Sequence, residues 1–455
     1  MVPMEAARPT EVAGKNVLVV GLGRFGGGAG VARWLVESDA HVIVTDLADA
    51  AALAESVDSL ADLSLTFHLG SHDLADLDDA DLAVINPAVN KTTSFFFQEI
   101  VRRRLPWTTE LNLFCERCRS DVIGITGTYG KSTTCAMVAD VLRAWISDVS
   151  TKYTNVHLGG NIGRSLLPQL GEIRLSDVVV LEMSNAQLED LPRIHWAPRV
   201  AVVTNLSPNH LDRYAGFSQY VTAKLNILRG PLAPSRIIVG PVDPRAEPMI
   251  VAAVGGDGSR IVRVGSPEKR FDLLVPGEHN QSNAACATAI CRSLGVDESM
   301  IRRVLARFEG LPHRIQFVRS VGGVAYFNDS KATTPAATAV AATTLNRPIV
   351  LIVGGKRMDR ALGECATILA KRCRGVVCVG ESGPEWADAV RGAAATSDGP
   401  IVTTAAKLPE AVQTARSLAH EGDAVLFSPG APSFDAYANF VERGSHFIAL
   451  VEALD

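Results

Sequence analysis

The residues Gly127-Thr128-Tyr129-Gly130-Lys131-Ser132 follow the apolar run Val122-Ile123-Gly124-Ile125 and precede a helix-like stretch from Thr133 to Ala144. Glycines remove Cβ atoms, so backbone amides can face phosphate oxygens. Lys131 adds a cationic donor, and the Ser132 hydroxyl suits a hard cation such as Mg²⁺. The chemistry expected of such a loop is gripping nucleotide phosphates and steadying charge while a phosphoryl group moves. Strict Walker A spacing asks for glycine at position 125, which is Ile125. The loop is therefore a variant built on Gly124 and Gly127, with a structural glycine turn as the alternative.

A second glycine-rich turn, Gly21-Leu22-Gly23-Arg24-Phe25-Gly26, follows Asn16 to Val20, and Asp46 ends the next strand-like run. That layout suits a dinucleotide, another nucleotide diphosphate, or a tight turn without ligand. Asp46 is placed to meet a ribose hydroxyl or a uracil edge.

Both loops need sheets to hold them. Residues 16–20, a helix over Val31 to Val36 and a strand over His41 to Thr45 read as a βαβ opening. The same grammar restarts at Val122 and continues through strands at Val178 to Leu181, Val200 to Thr204 and Ile237 to Val239. A third set follows Pro312: Val324 to Phe327, Ile349 to Val353, Gly375 to Val379 and Ala424 to Phe427, between Ala-rich helices. The expectation is three consecutive α/β domains. They are a Rossmann-like one over 1–106, a central P-loop-type ATPase domain over 107–312, and a Rossmann-like one over 313–455.

The bulk numbers agree with several cores: 455 residues, 47% of them hydrophobic, at roughly 100 to 200 residues per domain. With 44 Lys+Arg against 49 Asp+Glu and a net charge of −5, no basic field is available for a nucleic-acid backbone. No stretch offers about 18 uncharged apolar residues, so no membrane partner is expected and a cytoplasmic location is. The eight cysteines sit mostly in apolar runs as small buried hydrophobes. Cys115-Glu116-Arg117-Cys118 is a lone CxxC, to which no metal is assigned.

The nucleotide loop, Gly124-Ile-Thr-Gly-Thr-Tyr-Gly-Lys-Ser-Thr, resembles that of the Mur ligase family, and further matches follow in family order. They are Gly159-Gly-Asn-Ile-Gly163, Leu181-Glu-Met-Ser184 with Gln187-Leu-Glu189, Asn205 with Asn209-His-Leu-Asp-Arg-Tyr214, Ala223-Lys224, and His279-Asn280 with Asn283-Ala284. Beyond them stand Pro312-His-Arg314, Asn328-Asp-Ser-Lys-Ala-Thr333, Ser428-Pro429, Ser433 and Phe440-Val-Glu-Arg-Gly444. The resemblance runs from about residue 14 to the end, and the last segments are most similar to the branch that adds D-glutamate.

Membership would imply an ATP-dependent, amide-forming ligase that acts as a monomer on UDP-N-acetylmuramoyl-L-alanine, glutamate and ATP with Mg²⁺. A carboxylate becomes an acyl phosphate, which the amine then displaces. By the resemblance, Gly127, Thr128, Gly130, Lys131, Ser132 and Thr133 hold ATP phosphates, Asn280 and Asn283 read adenine, and Arg314 and Asp329 complete the nucleotide site. Lys131, Glu182, His210, Lys224 and Lys331 are the catalytic set. Ser132, Glu182, His210 and a CO₂-carbamylated Lys224 are the residues expected around Mg²⁺. The same resemblance turns the first loop from a dinucleotide to the UDP moiety, with Gly23, Arg24, Phe25, Asp46, Asn86, Asn161 and Ser184 on the substrate side. Lys356, Ser433 and Phe440 would lie at the amino acid.

The chain departs from the family pattern at several positions. Tyr129 replaces an Asn in the phosphate loop, where a phenol would either crowd the nucleotide or alter the loop's conformation, and Asn185-Ala186 replaces Ser-Phe, removing an aromatic wall and a hydroxyl near the substrate. Gly354-Gly355-Lys356-Arg-Met-Asp359 differs from the usual Gly-Gly-Asp-x-Lys.

Overall fold

Among the described residues, seventeen short strands, many of them rich in Val, Ile and Leu, are recruited into three sheets. This is shown by a computed structural model that describes residues 9–23, 26–162, 165–208, 214–230, 234–267, 269–357, 361–394 and 399–455. The first sheet holds β1 (Asn16–Val20), β2 (His41–Asp46), β3 (Thr66–Leu69), β4 (Leu82–Ile85) and β5 (Trp107–Thr108) in the order β3-β2-β1-β4-β5, every pair parallel. The order reverses at β1. Gly21–Gly23 after β1 and Asn86 after β4 thus share the crevice where open α/β sheets receive ligands. Trp107–Thr108 lies just past the expected boundary at 106/107 and pairs with β4.

The second sheet contains β6 (Asp121–Thr126), β7 (Val156–Gly160), β8 (Val178–Glu182), β9 (Val200–Val203), β10 (Arg236–Val239) and β11 (Ile261–Arg263). Their order is β11-β10-β9-β6-β8-β7, again all parallel. Strands β8 and β9 are buried along their whole length. Two covered faces explain why they read as unbroken apolar runs rather than alternating ones.

The third sheet comprises β12 (Gln316–Val321), β13 (Val324–Asn328), β14 (Ile349–Val353), β15 (Cys373–Val379), β16 (Ile401–Ala405) and β17 (Ala424–Phe427), ordered β12-β13-β17-β14-β15-β16. Strand β12 alone is antiparallel, joined to β13 by the Gly322-Gly323 turn with an irregular register at Phe317/Arg319. The three-domain α/β architecture read from the sequence is present.

By compactness the chain forms two units, Met1–Glu268 with Ser282–Ile301, and Lys269–Gln281 with Arg302–Asp455. The first two sheets share one unit because their cores are continuous: Val17, Val19 and Leu35 join Leu111, Leu113, Phe114, Leu166 and Leu167, and these join Val179, Leu181 and Val203. The second unit packs its sheet between a cluster around Leu351, Leu369 and Trp386 and another around Phe427, Val412 and Phe447.

Candidate active site

Strands β6, β7, β8 and β9 all deliver their C-terminal ends to one place. After β6 the chain turns through Gly127-Thr128-Tyr129-Gly130 into the helix Lys131–Asp148, whose first amides lack partners within the helix. Gly130 has φ 76°, and a Cβ there would stand 2.1 Å from Asn283 Oδ1, so no side chain fits. Gly127 is equally constrained, with Thr204 Oγ1 2.0 Å from where its Cβ would be.

The loop's shape is set by groups beyond it. Tyr129 N–H donates to Asn205 Oδ1 at 3.0 Å, while Asn205 Nδ2 and Thr204 Oγ1 both donate to the Tyr129 carbonyl, at 2.8 and 2.7 Å. The Tyr129 side chain is 61% exposed. The atoms of Tyr129 that these bonds pin all belong to its main chain. The Tyr220 hydroxyl donates to Thr128 Oγ1 at 2.9 Å, and Thr128 Oγ1 in turn donates to the Ser207 carbonyl at 3.2 Å.

Ser132 Oγ donates to Glu182 Oε2 at 2.7 Å, and Asn161 Nδ2 donates to Glu182 Oε1 at 2.9 Å. Glu182 is buried, so these donors compensate a carboxylate taken out of water. Its approach to β7 requires Gly160, whose Cβ would lie 2.3 Å from the Glu182 carbonyl. Asn161, expected on the substrate side, is thus a partner of the acid. Ser184 caps the helix Asn185–Leu188 through a reciprocal pair with Gln187. Its hydroxyl also serves the helix start.

Lys224, on the helix Phe217–Leu225, is 1% exposed, donates to the Gly127 carbonyl at 2.8 Å and lies 4.9 Å from the Tyr220 ring centre. Burial, joined by the nearby Lys131 ammonium and opposed by Glu182, pushes its ammonium down to about 7. A lysine in that range has a substantial neutral fraction at physiological pH, the form that attacks CO₂ to give a carbamate. Lys131 Nζ donates to the Gly127 and Thr128 carbonyls, each at 3.1 Å. The donors gathered here are hydroxyl and carboxylate oxygens, to which a carbamate would add two more, and such a set fits Mg²⁺ better than a softer metal.

On the first sheet, Asp46 turns inward. Its carboxylate accepts from Gly23 N–H at 3.0 Å and from Ala48 N–H at 2.9 Å, and Asn86 Nδ2 donates to the Gly21 carbonyl at 3.0 Å. These side chains shape the loop. Arg24, Phe25, Gly163 and the whole of Asn209-His210-Leu211-Asp212-Arg213 lie outside the described residues.

On the helix Glu278–Ser293, Asn283 packs at Gly130 while Asn280 Nδ2 donates to the Pro276 carbonyl at 2.7 Å.

The second unit gathers its own polar residues at the ends of β13, β14 and β17. Asp329 accepts from Ser428 Oγ at 2.7 Å and Ile315 N–H at 3.1 Å, and burial lifts its carboxyl to about 7 against those bonds and Arg314. Lys331 Nζ stands 5.6 Å from the Phe440 ring centre, and Ser433 is buried nearby in sequence on the loop after β17. Arg314 is exposed. Lys356 is paired with Glu381 at 2.9 Å, so its ammonium already has an anion.

Residues that sequence reading left without a role include Thr204 and Asn205, which fix the loop, and Tyr220, which walls Lys224. Asn205 was visible as a polar residue just past an apolar strand, and Tyr220 precedes Lys224 by one helical turn.

Three family models match successive parts of the chain: the Mur ligase MurD-like N-terminal domain over residues 15–103, the Mur ligase middle domain over 125–270, and the Mur ligase glutamate ligase domain over 313–430. A UDP-N-acetylmuramoylalanine--D-glutamate ligase from Symbiobacterium thermophilum is 37% identical over 93% of this chain and 95% of its own. The enzyme of that name from Geobacter metallireducens is 34% identical over 98% of each. Among solved structures, the UDP-N-acetylmuramate-alanine ligase of Thermotoga maritima shares the fold with a TM-score of 0.57, at 21% identity over 96% of this chain and 99% of that one. With relatives this similar along almost its entire length, the chain belongs to the Mur ligase family.

Proposed function

We propose that the chain joins D-glutamate to UDP-N-acetylmuramoyl-L-alanine at the expense of ATP, in the cytoplasm and as a monomer, in the synthesis of peptidoglycan precursors. The nucleotide substrate's carboxylate takes the γ-phosphoryl group of ATP, releasing ADP, and the amine of glutamate then displaces phosphate to form the amide. The observation that carries this reading is the convergence of Ser132, Glu182, Asn161, Lys131 and Lys224 on the loop after β6. The full-length similarity to D-glutamate ligases supports the choice of substrates.

In this reading Lys131 turns from the loop carbonyls to the β and γ phosphates, and Ser132 with Glu182 and a carbamylated Lys224 holds Mg²⁺, which supplies charge neutralisation at the transferring phosphoryl oxygens. His210 keeps the metal role that the resemblance implies. Asn283 stands where an adenine-reading amide could be presented, and Gly23, Asp46 and Asn86 form the crevice offered to the UDP end. We extend the reading to Arg314, Asp329 and Lys331 at the nucleotide end, and to Lys356, Ser433 and Phe440 at the amino acid.

The deciding assay incubates the protein with UDP-N-acetylmuramoyl-L-alanine, ATP, Mg²⁺ and either enantiomer of glutamate, following phosphate and product mass. D-glutamate is expected to release phosphate and give the dipeptide product. Phosphate release with L-glutamate or another amino acid would replace the substrate assignment, and none with any amino acid would overturn the ligase reading.

A further inference from the structure

A chain of side chains crosses the seam between the first two sheets. Asn185 Nδ2 donates to the Tyr214 hydroxyl at 2.6 Å, and that hydroxyl donates to Glu189 Oε1. Glu189 Oε2 stands 3.9 Å from Lys91 Nζ, which lies 2.7 Å from Asp190 Oδ2. The side chains of Lys91 and Asp190 are 16% and 7% exposed, so the pair is shielded from solvent and more strongly coupled than a surface pair. Trp107 of β5 stands near two cations, with Arg193 3.7 Å and Lys91 6.0 Å from its ring centre.

Both ends of this chain lie close in sequence to residues proposed above to serve the substrates. Lys91 belongs to the connection that leaves β4 at Asn86. That connection is stiffened by Ala88 N–H to Asn86 Oδ1, Thr92 and Thr93 N–H to Asn90 Oδ1, and Gln98 Nε2 to the Lys91 carbonyl. At the other end, Asn185 follows the Ser184 cap, three residues beyond Glu182.

We propose that Asn185, Tyr214, Glu189 and Lys91 form a positioning relay that sets the crevice of the first sheet against Glu182, so that the carboxylate of the nucleotide substrate arrives in line with the phosphoryl group. Asn185 is in this scheme a positioning residue that acts through Tyr214. The relay rests on the ligase reading above.

The test uses the full chain with Asn185→Ala, Lys91→Met, their double variant and Lys91→Arg. In the phosphate-release assay, each of the first two raises the KM for UDP-N-acetylmuramoyl-L-alanine about tenfold and leaves the KM for ATP within about twofold. The double variant is about fivefold less impaired than the product of the two, and Lys91→Arg recovers most of the loss. Equal changes in both KM values, or strictly multiplicative effects, overturn the relay. Hydrogen exchange gives a reading independent of turnover: in Lys91→Met the amides of 185–189 and 214–220 exchange faster, while those of Val178–Glu182 do not. Unchanged exchange in those segments overturns the relay, whereas wild type without turnover counts against the ligase reading alone.

Discussion

Lys224 Nζ donates to the carbonyl of Gly127 at 2.8 Å, which places the buried amine directly beneath the first residue of the phosphate loop. The contact couples the protonation of one lysine to the main chain of the loop proposed to hold ATP.

Carbamate formation consumes the neutral amine, and the Lys224 ammonium releases its proton at about 7. Below that pH the amine is protonated and carbamylation is disfavoured. Removing CO₂ is therefore expected to lower activity more at pH 8 than at pH 6, where less of the amine is carbamylated to begin with. Lys224→Ala should lose at least about 100-fold in kcat, the scale of removing a group that organises charge at a transferring phosphoryl, with partial return on adding short carboxylates. Steady-state rates in bicarbonate-free and bicarbonate-supplemented buffers check both statements. Wild-type activity in the alanine variant would dispose of the carbamate.

The same lysine makes a prediction about stability. In the folded protein it loses its proton at about 7, against 10.5 for an ordinary lysine. Within that window the unfolded chain binds the extra proton, so stability rises with pH. Below about 7 the whole cost of burying the cation is present. In CO₂-free buffer, Lys224→Met should raise the thermal midpoint most below pH 7, with the gain fading as pH approaches 10.5.

Asp329 behaves with the opposite sign. Its carboxyl is lifted from 3.8 to about 7, so the folded chain holds the extra proton between those values and stability falls as pH rises through them. Asp329→Asn should stabilise the protein above pH 7 and give no such gain below 3.8, as thermal melts over that range would show.

Glu182→Gln presents an amide to Ser132 Oγ and Asn161 Nδ2, two donors that now both find carboxylate oxygens. One of them must lose its acceptor. Activity should fall by about 100-fold or more and the Mg²⁺ concentration for half-maximal rate should rise, measured by metal titration.

Two neighbouring substitutions in the phosphate loop should separate sharply. Gly130→Ala meets Asn283 Oδ1 and a φ of 76°, and is expected to cost about 1–3 kcal/mol and to abolish ATP binding. Tyr129→Asn alters an exposed side chain whose backbone is held by Asn205, so the KM for ATP should stay within about twofold. Calorimetry with a non-hydrolysable ATP analogue distinguishes the two.

Most of the sheets could be read from the chain, because parallel strands buried on both faces leave apolar runs such as Val178–Leu181 and Ile349–Val353. Strand β12 could not: it lies at an edge, half exposed along its length, and pairs antiparallel through an irregular register. Very short strands such as β5 and β11 carry too few residues to form a pattern. The loop was legible because glycine spacing is a local feature, and Glu182 through the resemblance of Leu181-Glu-Met-Ser184 to a family motif. Tertiary geometry decided the rest. Nothing local says that Asn161 faces Glu182, that Asp46 turns toward its own loop, or that Lys356 is paired with Glu381.

The packing around Gly127 and Gly130 also bears on inhibition. A compound that hydrogen-bonds the main chain of this loop would rest on positions where any added side chain collides with Thr204 or Asn283. Resistance by substitution at those two glycines would disable the target itself. Tyr129, whose ring projects outward, is the position in that stretch where such a compound would have to tolerate variation.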